Sequence, residues 1–325
     1  MTKGTLLVGE PMGLFIAQQQ GPLEDVEGYS MALAGAEFNV AVGLRRLGHP
    51  VGYLTKLGTD PFGKRVIRMM GDNGISTDLI SFSRERTTGF MLKSRVDQGN
   101  PEIYYYRKHS AASTLCPQDV LDLDFSQYAV LHITGITPAL SDATRAATEA
   151  LWQKAREQGM LFSFDPNLRP QLWPDRDAMV AYINAMAARS DLFLPGVEEA
   201  AVLLGTDDPE QIAQRYRRSG THTVIVKLGE RGAYYATPRE SGYVDSFPVA
   251  RVVDTVGAGD GFAAGVLSAL QEGLPIREAV RRGNAVGAIQ VMSRGDNDGL
   301  PTRAELEAFM AGRQDWRKQH DTADL

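Results

Sequence analysis

The stretch Asp254-Thr255-Val256-Gly257-Ala258-Gly259-Asp260-Gly261-Phe262-Ala263-Ala264-Gly265 holds the residue types best suited to chemistry. Gly257, Ala258 and Gly259 are small enough to let an anion reach backbone N–H groups, and a helix-compatible segment follows them. A helix N-terminus offers unpaired N–H groups and the positive end of the dipole, so this turn is a candidate anion hole. A carboxylate, Asp260, falls in the first turn of that helix. Beside a site that only binds an anion, a negative side chain is out of place. It makes sense where a phosphoryl group is transferred and the carboxylate takes the proton of the attacking hydroxyl. The plainer alternative is that Asp260 caps the helix, as Asp does at such positions.

Other constellations could surround such a centre. Gly35 and Ala36 lie at a strand–helix junction where a ligand can approach the backbone, and Asn39 offers donor and acceptor to ligand hydroxyls. Alternatively, Gly35 only relieves crowding at a helix start. Tyr105 and Arg107 stand two apart on a strand-like segment and so share a face; the alternative is an edge strand with a solvated cation. Arg169, in Asp165-Pro166-Asn167-Leu168-Arg169-Pro170, follows a strand whose carboxyl end is where open α/β sheets bind ligands. A salt bridge to a neighbour would also account for it. Together, Arg107 and Arg169 could clamp a carboxylate bidentately, which a neutral ligand would not require. Lys227-Leu228-Gly229-Glu230-Arg231-Gly232 forms a tight turn whose N–H groups could face a phosphate or adenine, although alone it reads as structural. Gly58-Thr59-Asp60-Pro61-Phe62-Gly63-Lys64 nearly spells a P-loop. Arg65 stands where a Ser or Thr must hold Mg²⁺, however, and Pro61 removes an N–H, so a strand–helix connection is expected. The histidines His49, His109, His132, His222 and His320 show no ligand spacing, and no transition-metal site is assigned.

The elements that must position these residues follow from hydrophobic periodicity. Apolar runs at 5–9, 51–57, 130–133, 161–165, 192–194 and 223–226 read as strands. Helical spacing covers 37–47, 61–73, 142–158, 176–188, 197–204, 209–219, the segment after Asp260, and 277–292. Strand–helix alternation predicts a mostly parallel sheet covered on both faces. Two alternating pairs interrupt it, 14–18 with 29–33 and 89–96 with 102–107, the latter joined through Gln98-Gly99-Asn100-Pro101. Residues 11–34 and 87–109 are therefore expected to form a small separate sheet. A late hairpin is expected at 234–236 and 243–247, and a frayed polar tail at 313–325.

Composition narrows the class. Lys+Arg 34 against Asp+Glu 40 leaves −6 over 325 residues, with no global basic field for nucleic acid. A single cysteine, Cys116, excludes an internal disulfide framework and fits a reducing compartment. No apolar stretch reaches the roughly 18 residues of a membrane span, and the chain runs directly into a strand without a signal-peptide pattern. The expectation is a cytoplasmic protein with no membrane or nucleic-acid partner.

The 254–265 stretch closely resembles the C-terminal signature of the ribokinase-like (PfkB-type) carbohydrate kinases, and the similarity extends over residues 4–310. That resemblance implies a three-layer αβα sandwich with a mostly parallel central sheet and a small β-sheet lid. Residues 1–10, 35–86 and 110–312 would form the kinase domain. Residues 11–34 and 87–109 would form the lid, closing over the sugar and joining a homo-oligomer, dimer or higher. It implies Asp260 as catalytic base and substrate contact, and Gly257, Ala258 and Gly259 as the anion hole. Gly35, Ala36 and Asn39 resemble the sugar-binding motif, with Ala34 replacing the first of two glycines. Lys227, Gly229 and Gly232 resemble the K-x-G-x-x-G nucleotide turn, used with Gly257 and Gly259 to hold ATP. Asn284 matches an adenine-side contact and Asp296 an acidic substrate contact. Leu194 to Glu199 aligns with an N-x-x-E element in which Gly196 replaces Asn; Glu199 would reach Mg²⁺ through water. A monovalent cation is a further candidate cofactor. Within the family, Tyr104-Tyr105-Tyr106-Arg107 followed by D-x-N-x-R resembles the 2-keto-3-deoxygluconate kinases, whose sugar acid is phosphorylated at O6. A neutral-sugar kinase (fructokinase or ribokinase) and a non-catalytic sugar-acid or nucleotide sensor stand as alternatives. A dinucleotide dehydrogenase ranks low, because Gly9-Glu10-Pro11-Met12-Gly13 runs into a hairpin rather than a fingerprint turn.

Overall fold

The computed structural model describes residues 3–96, 101–293, 295–313 and 316. The Gln98–Asn100 part of the expected turn, Arg294, His320 and nearly all of the expected 313–325 tail lie outside them. In chain order the elements begin with β1 (Gly4–Val8), β2 (Met12–Ala17), β3 (Tyr29–Ala34), α1 (Ala36–Arg46), β4 (Val51–Gly58), α2 (Pro61–Asp72), β5 (Ile80–Ser83), β6 (Phe90–Lys93) and β7 (Ile103–Tyr106). There follow α3 (Gln118–Leu121), β8 (Tyr128–Thr134), α4 (Asp142–Glu157), β9 (Leu161–Asp165), α5 (Arg176–Arg189), β10 (Leu192–Phe193), α6 (Val197–Leu204), α7 (Pro209–Ser219) and β11 (Thr223–Lys227). The chain closes with β12 (Ala233–Ala236), β13 (Ser241–Val244), α8 (Ala258–Gln271), α9 (Ile276–Gln290) and α10 (Arg303–Met310). No helix among the described residues is long and apolar enough to cross a membrane.

Two compact units emerge, one from Met1–Phe38, Val51–Phe162 and Asn167–Met179, the other from Asn39–Pro50, Ser163–Pro166 and Val180–Leu325. In the first, β1 pairs in parallel with β4 and β8, and β4 in parallel with β5. All five residues of β1 are buried, as expected for a strand covered on both faces. In the second unit β9, β10 and β11 are parallel, and β12 and β13 add an antiparallel hairpin. The fold is thus of the expected α/β class with mostly parallel pairing. β5 and α10 were not expected. β5 has exposed residues in the middle of a four-residue strand, a pattern too short to show periodicity. The late hairpin is shifted, its second strand running Ser241–Val244 where 243–247 was expected.

The first unit also carries a four-stranded sheet ordered β3-β2-β6-β7. Both hairpins are antiparallel, and β2 joins β6 in parallel, so the two interrupting pairs form one sheet. The period-2 alternation sorts its faces. Met12, Leu14, Ala34 and Met91 form an apolar cluster with Tyr105 packed against it. Phe15, Tyr29, Phe90 and Tyr106, joined by Phe62 of α2, make an aromatic cluster, with Phe90 and Tyr106 stacked at 4.7 Å. Ala34 ends β3 opposite Met12 in an ordinary strand register. The next residue, Gly35, makes the turn into α1 at φ 148, where a Cβ would lie 2.9 Å from the Glu10 carbonyl. The chain therefore needs its glycine at 35 and tolerates alanine at 34.

The P-loop look-alike is a strand–helix connection. Asp60 caps α2, accepting the N–H groups of Phe62 (2.9 Å) and Gly63 (3.0 Å), and Pro61 opens the helix where its missing N–H is harmless. Asp60 Oδ2 also accepts the Thr88 N–H at 2.7 Å, which ties the approach to β6 onto the same cap. Asp60→Ala is expected to lower stability by about 1–2 kcal/mol, the usual loss for an N-cap. Urea unfolding at constant slope measures it, and an unchanged midpoint would show the cap to be dispensable.

Candidate active site

In the second unit the N-terminus of α8 is built as the sequence suggests. Gly257 stands before the helix at φ 77, and a Cβ there would lie 2.1 Å from the Asp296 carbonyl oxygen, so no other residue fits without displacing the backbone. Asp254 Oδ1 accepts the Val256 N–H at 3.0 Å and shapes the approach. The buried Gln290 ties this turn to the 295 loop by donating to the carbonyls of Val256 (3.3 Å) and Gly295 (2.9 Å). Of the three expected anion-hole residues, Ala258 turns its N–H to the Thr255 carbonyl at 3.3 Å.

Asp260 is not the cap of α8, since Gly257 occupies that position. Its Oδ2 accepts a 2.7 Å hydrogen bond from Asn39 Nδ2. Asn39 in turn accepts from Asn297 Nδ2 at 3.0 Å. Asn39 and Asn297 are both buried, so the orientation of the Asp260 carboxylate is set by a relay anchored inside the protein. Asn297 carried no signal in the sequence beyond its place next to Asp296, which is itself buried and meets Gly257 through its backbone.

Lys227, at the end of β11, reaches the same helix. A Cβ on Gly259 would lie 3.6 Å from its Nζ. The ammonium is paired at 2.6 Å with Asp165 Oδ2, from the end of β9. Burial alone would lower the Lys227 pKa, but the carboxylates of Asp165, Glu199 and Asp260 outweigh it and hold the ammonium above its ordinary value. Glu199, the expected indirect metal residue, sits in the first turn of α6, where its Oε2 accepts the Gly196 N–H at 2.8 Å. It does the capping that a glycine cannot do for itself. Gly229 and Gly232 close the turn after β11, with Gly232 N–H donating to Gly229 O at 3.0 Å. Asn284 Nδ2 is spent within the chain, donating to the carbonyls of Val244 (2.9 Å) and Asp245 (3.1 Å). Gly232 packs against that same Val244 carbonyl, so Asn284 braces the expected nucleotide turn instead of standing free at its surface.

In the first unit, Tyr105 and Arg107 do share a face, with the guanidinium 5.7 Å from the Tyr105 ring. Sequence gave no sign of the partner. Arg107 is buried, and its Nε (2.7 Å) and Nη2 (2.5 Å) both donate to Glu10 Oε2. Ser110 Oγ donates to the other oxygen, Glu10 Oε1. A buried guanidinium needs such a counter-charge. Arg169 is half-buried before the 3₁₀ turn Pro170–Leu172 and donates from Nη1 to the Leu168 carbonyl at 2.8 Å. Near Gly35 and Ala36, Glu37 is fully enclosed. Its Oε1 accepts from Thr134 Oγ1 (2.6 Å) and N (3.3 Å) and from Thr137 Oγ1 (3.2 Å). Among the described residues, no group of three or more His, Cys, Asp or Glu could hold a metal ion.

Known proteins resemble this chain along its length. The model of the pfkB family of carbohydrate kinases matches residues 5–303. A 2-dehydro-3-deoxygluconokinase from Bacillus subtilis (strain 168) is 45% identical over 307 residues, 94% of this chain and 95% of that protein. The crystal structure of a PfkB protein from Polaromonas sp. JS666 superposes with TM-score 0.87 at 43% identity, covering 94% of this chain and 99% of that one. A fructokinase from Vibrio cholerae O395, solved with fructose, ADP and calcium ion, superposes with TM-score 0.83 at 26% identity, covering 95% and 99%.

Burial raises the Glu37 pKa from 4.5, and the bonds from Thr134 and Thr137 only partly oppose it. A carboxyl with a raised folded-state pKa contributes stability below its unfolded value, and that stability is lost as pH rises through the folded one. Glu37→Gln, which cannot ionise, is therefore expected to flatten the decline in stability above pH 4.5. Urea midpoints at pH 4 and pH 8 decide it; an equal decline in both proteins would rule the assignment out.

Proposed function

The chain belongs to the pfkB family of carbohydrate kinases, and from that premise we propose that it phosphorylates a sugar acid, 2-keto-3-deoxygluconate, on its 6-hydroxyl at the expense of ATP. The observation that carries the reading is the Asp260 carboxylate, aimed by Asn39 in the first turn of α8 behind Gly257 and Gly259. The sugar hydroxyl oxygen attacks the γ-phosphorus, the bond from that phosphorus to ADP breaks, and Asp260 receives the hydroxyl proton. Amides at Gly257 and Gly259 receive the charge that develops on the phosphoryl oxygens. Lys227, Gly229 and Gly232 hold the nucleotide, and Asn284 braces their turn. Asp296 and Asn39 contact the sugar, with Gly35 and Ala36 allowing its close approach.

The four-stranded sheet serves as the lid, and its strand β7 leads to Tyr105 and Arg107. The edge of Arg107 not occupied by Glu10, with Arg169, holds the substrate carboxylate. When bound, Mg²⁺ neutralises charge on the ATP phosphates. The donor set fits this ion, because Mg²⁺ in kinase sites is held by substrate phosphates, waters and one or two carboxylates rather than by a protein cage. Glu199 is the carboxylate that would meet it through water. A fructokinase reading is the nearest rival, since the Vibrio cholerae relative was solved with fructose.

Asp260→Asn is expected to bind ATP and sugar as the wild type does while turnover drops by about 10³-fold or more. ADP release by purified protein reports it, and near-normal turnover would remove Asp260 from the role of base. Arg107→Lys, which keeps a cation opposite Glu10 but loses the bidentate fork, is expected to raise KM for the sugar acid about tenfold, the loss of one charge-assisted contact, with little change for fructose. Equal effects on the two substrates, or better turnover of fructose by the wild type, would favour the neutral-sugar reading.

A further inference from the structure

We propose that Lys227 is a catalytic cation for phosphoryl transfer and that Asp165 is the positioning residue that holds it at the mouth of α8. The inference rests on the reading of the α8 N-terminus as the transfer site. β9 and β11 flank β10 as parallel neighbours, so their carboxyl ends lie two strand spacings apart, roughly 10 Å. Asp165 and Lys227 end those two strands and meet across the intervening one at 2.6 Å. The pair is largely withdrawn from water, with side chains 4% and 18% exposed. In that setting its geometry is held firmly, unlike a surface ion pair. An ammonium carries three donors, and Asp165 accounts for one. Its Nζ lies beside the first turn of α8, 3.6 Å from where a Cβ on Gly259 would stand, and the donors not taken by Asp165 are those assigned to the phosphoryl oxygens.

This arrangement answers an electrostatic difficulty of the site. A transferring phosphoryl group carries negative charge on its equatorial oxygens, and Asp260 stands beside it with a charge of the same sign. A fixed cation between them screens that repulsion where charge develops, which is the arrangement that stabilises a transition state more than a ground state. Three carboxylates bear on Lys227, Asp165 from β9, Glu199 from α6 and Asp260 from α8, and together they keep it protonated against burial.

The test compares Asp165→Asn, Lys227→Gln and the double variant, which replaces the pair by neutral polar groups. Lys227→Gln is expected to lower kcat by about 10²-fold or more, as loss of an oxyanion stabiliser does. Asp165→Asn is expected to lower it by about 10–100-fold, the usual loss for a supporting partner, with the KM for sugar unchanged. Because Asp165 acts through Lys227, adding Asp165→Asn to Lys227→Gln should change kcat by less than about twofold. The basic limb of the Asp165→Asn pH profile should also move to lower pH, since the carboxylate that raises the Lys227 pKa most is gone. Multiplicative losses in the double variant, or a basic limb that stays in place, would reduce the pair to a structural contact. A wild type that releases no ADP with any sugar acid or neutral sugar sinks the proposed function itself. An active wild type with a silent Asp260→Asn and a Lys227→Gln within threefold of normal sinks this inference alone.

Discussion

Everything at the candidate site depends on how a carboxylate is kept pointing in one direction at a helix N-terminus. The dipole and first-turn N–H groups favour negative charge there, but they do not choose a rotamer. The choice is made by Asn39, which is held by Asn297 and donates to Asp260 from 221 residues away in sequence. For that bond to form, α1 and α8 must approach closely. They do so where Gly43 faces Ala264, with no room for a larger residue at 43. A helix crossing of small residues thus brings the amide to the carboxylate, and the carboxylate inherits the rigidity of two packed helices.

The cations follow a similar rule. Lys227 is paired with Asp165 and Arg107 with Glu10, each largely out of water. An unpaired buried charge would be prohibitively unfavourable. The counter-ion that makes burial tolerable also fixes where the cation points, and neither cation has to search for its place when an anionic ligand arrives. Such pre-organisation is what lets a charged group act on a transition state without reorganising at the moment of reaction. Glu37 shows the opposite solution. It is met by the hydroxyls of Thr134 and Thr137, and burial pushes its pKa up.

The four-stranded sheet of the first unit has two unlike apolar faces. One face is aliphatic around Met12, Leu14 and Met91, and the other is aromatic around Phe15, Phe90 and Tyr106. Both faces come from the same alternation, so a one-residue slip in any strand would exchange them. The pairing of β2 with β6 joins two hairpins that are far apart in the chain into a single surface.

Much was legible in the sequence because it is local. The Gly257–Asp260 turn, the Asp60–Pro61 start of α2, the strand–helix alternation and the shared face of Tyr105 and Arg107 all follow from spacing within a dozen residues. Each is dictated by backbone geometry that a short segment imposes on itself. The partners were not legible. Nothing in the spacing of Glu10 and Arg107, Asp165 and Lys227, or Asn39 and Asp260 connects them, since those pairs are 97, 62 and 221 residues apart. The Asn284 Nδ2 bonds to the Val244 and Asp245 carbonyls, 40 and 39 residues away, were equally invisible in the sequence. Which polar groups face each other, and which remain for a ligand, is settled only when packing closes distant segments together. Buried donors and charges then take whatever partner comes within reach, because leaving them unmet is the costlier outcome.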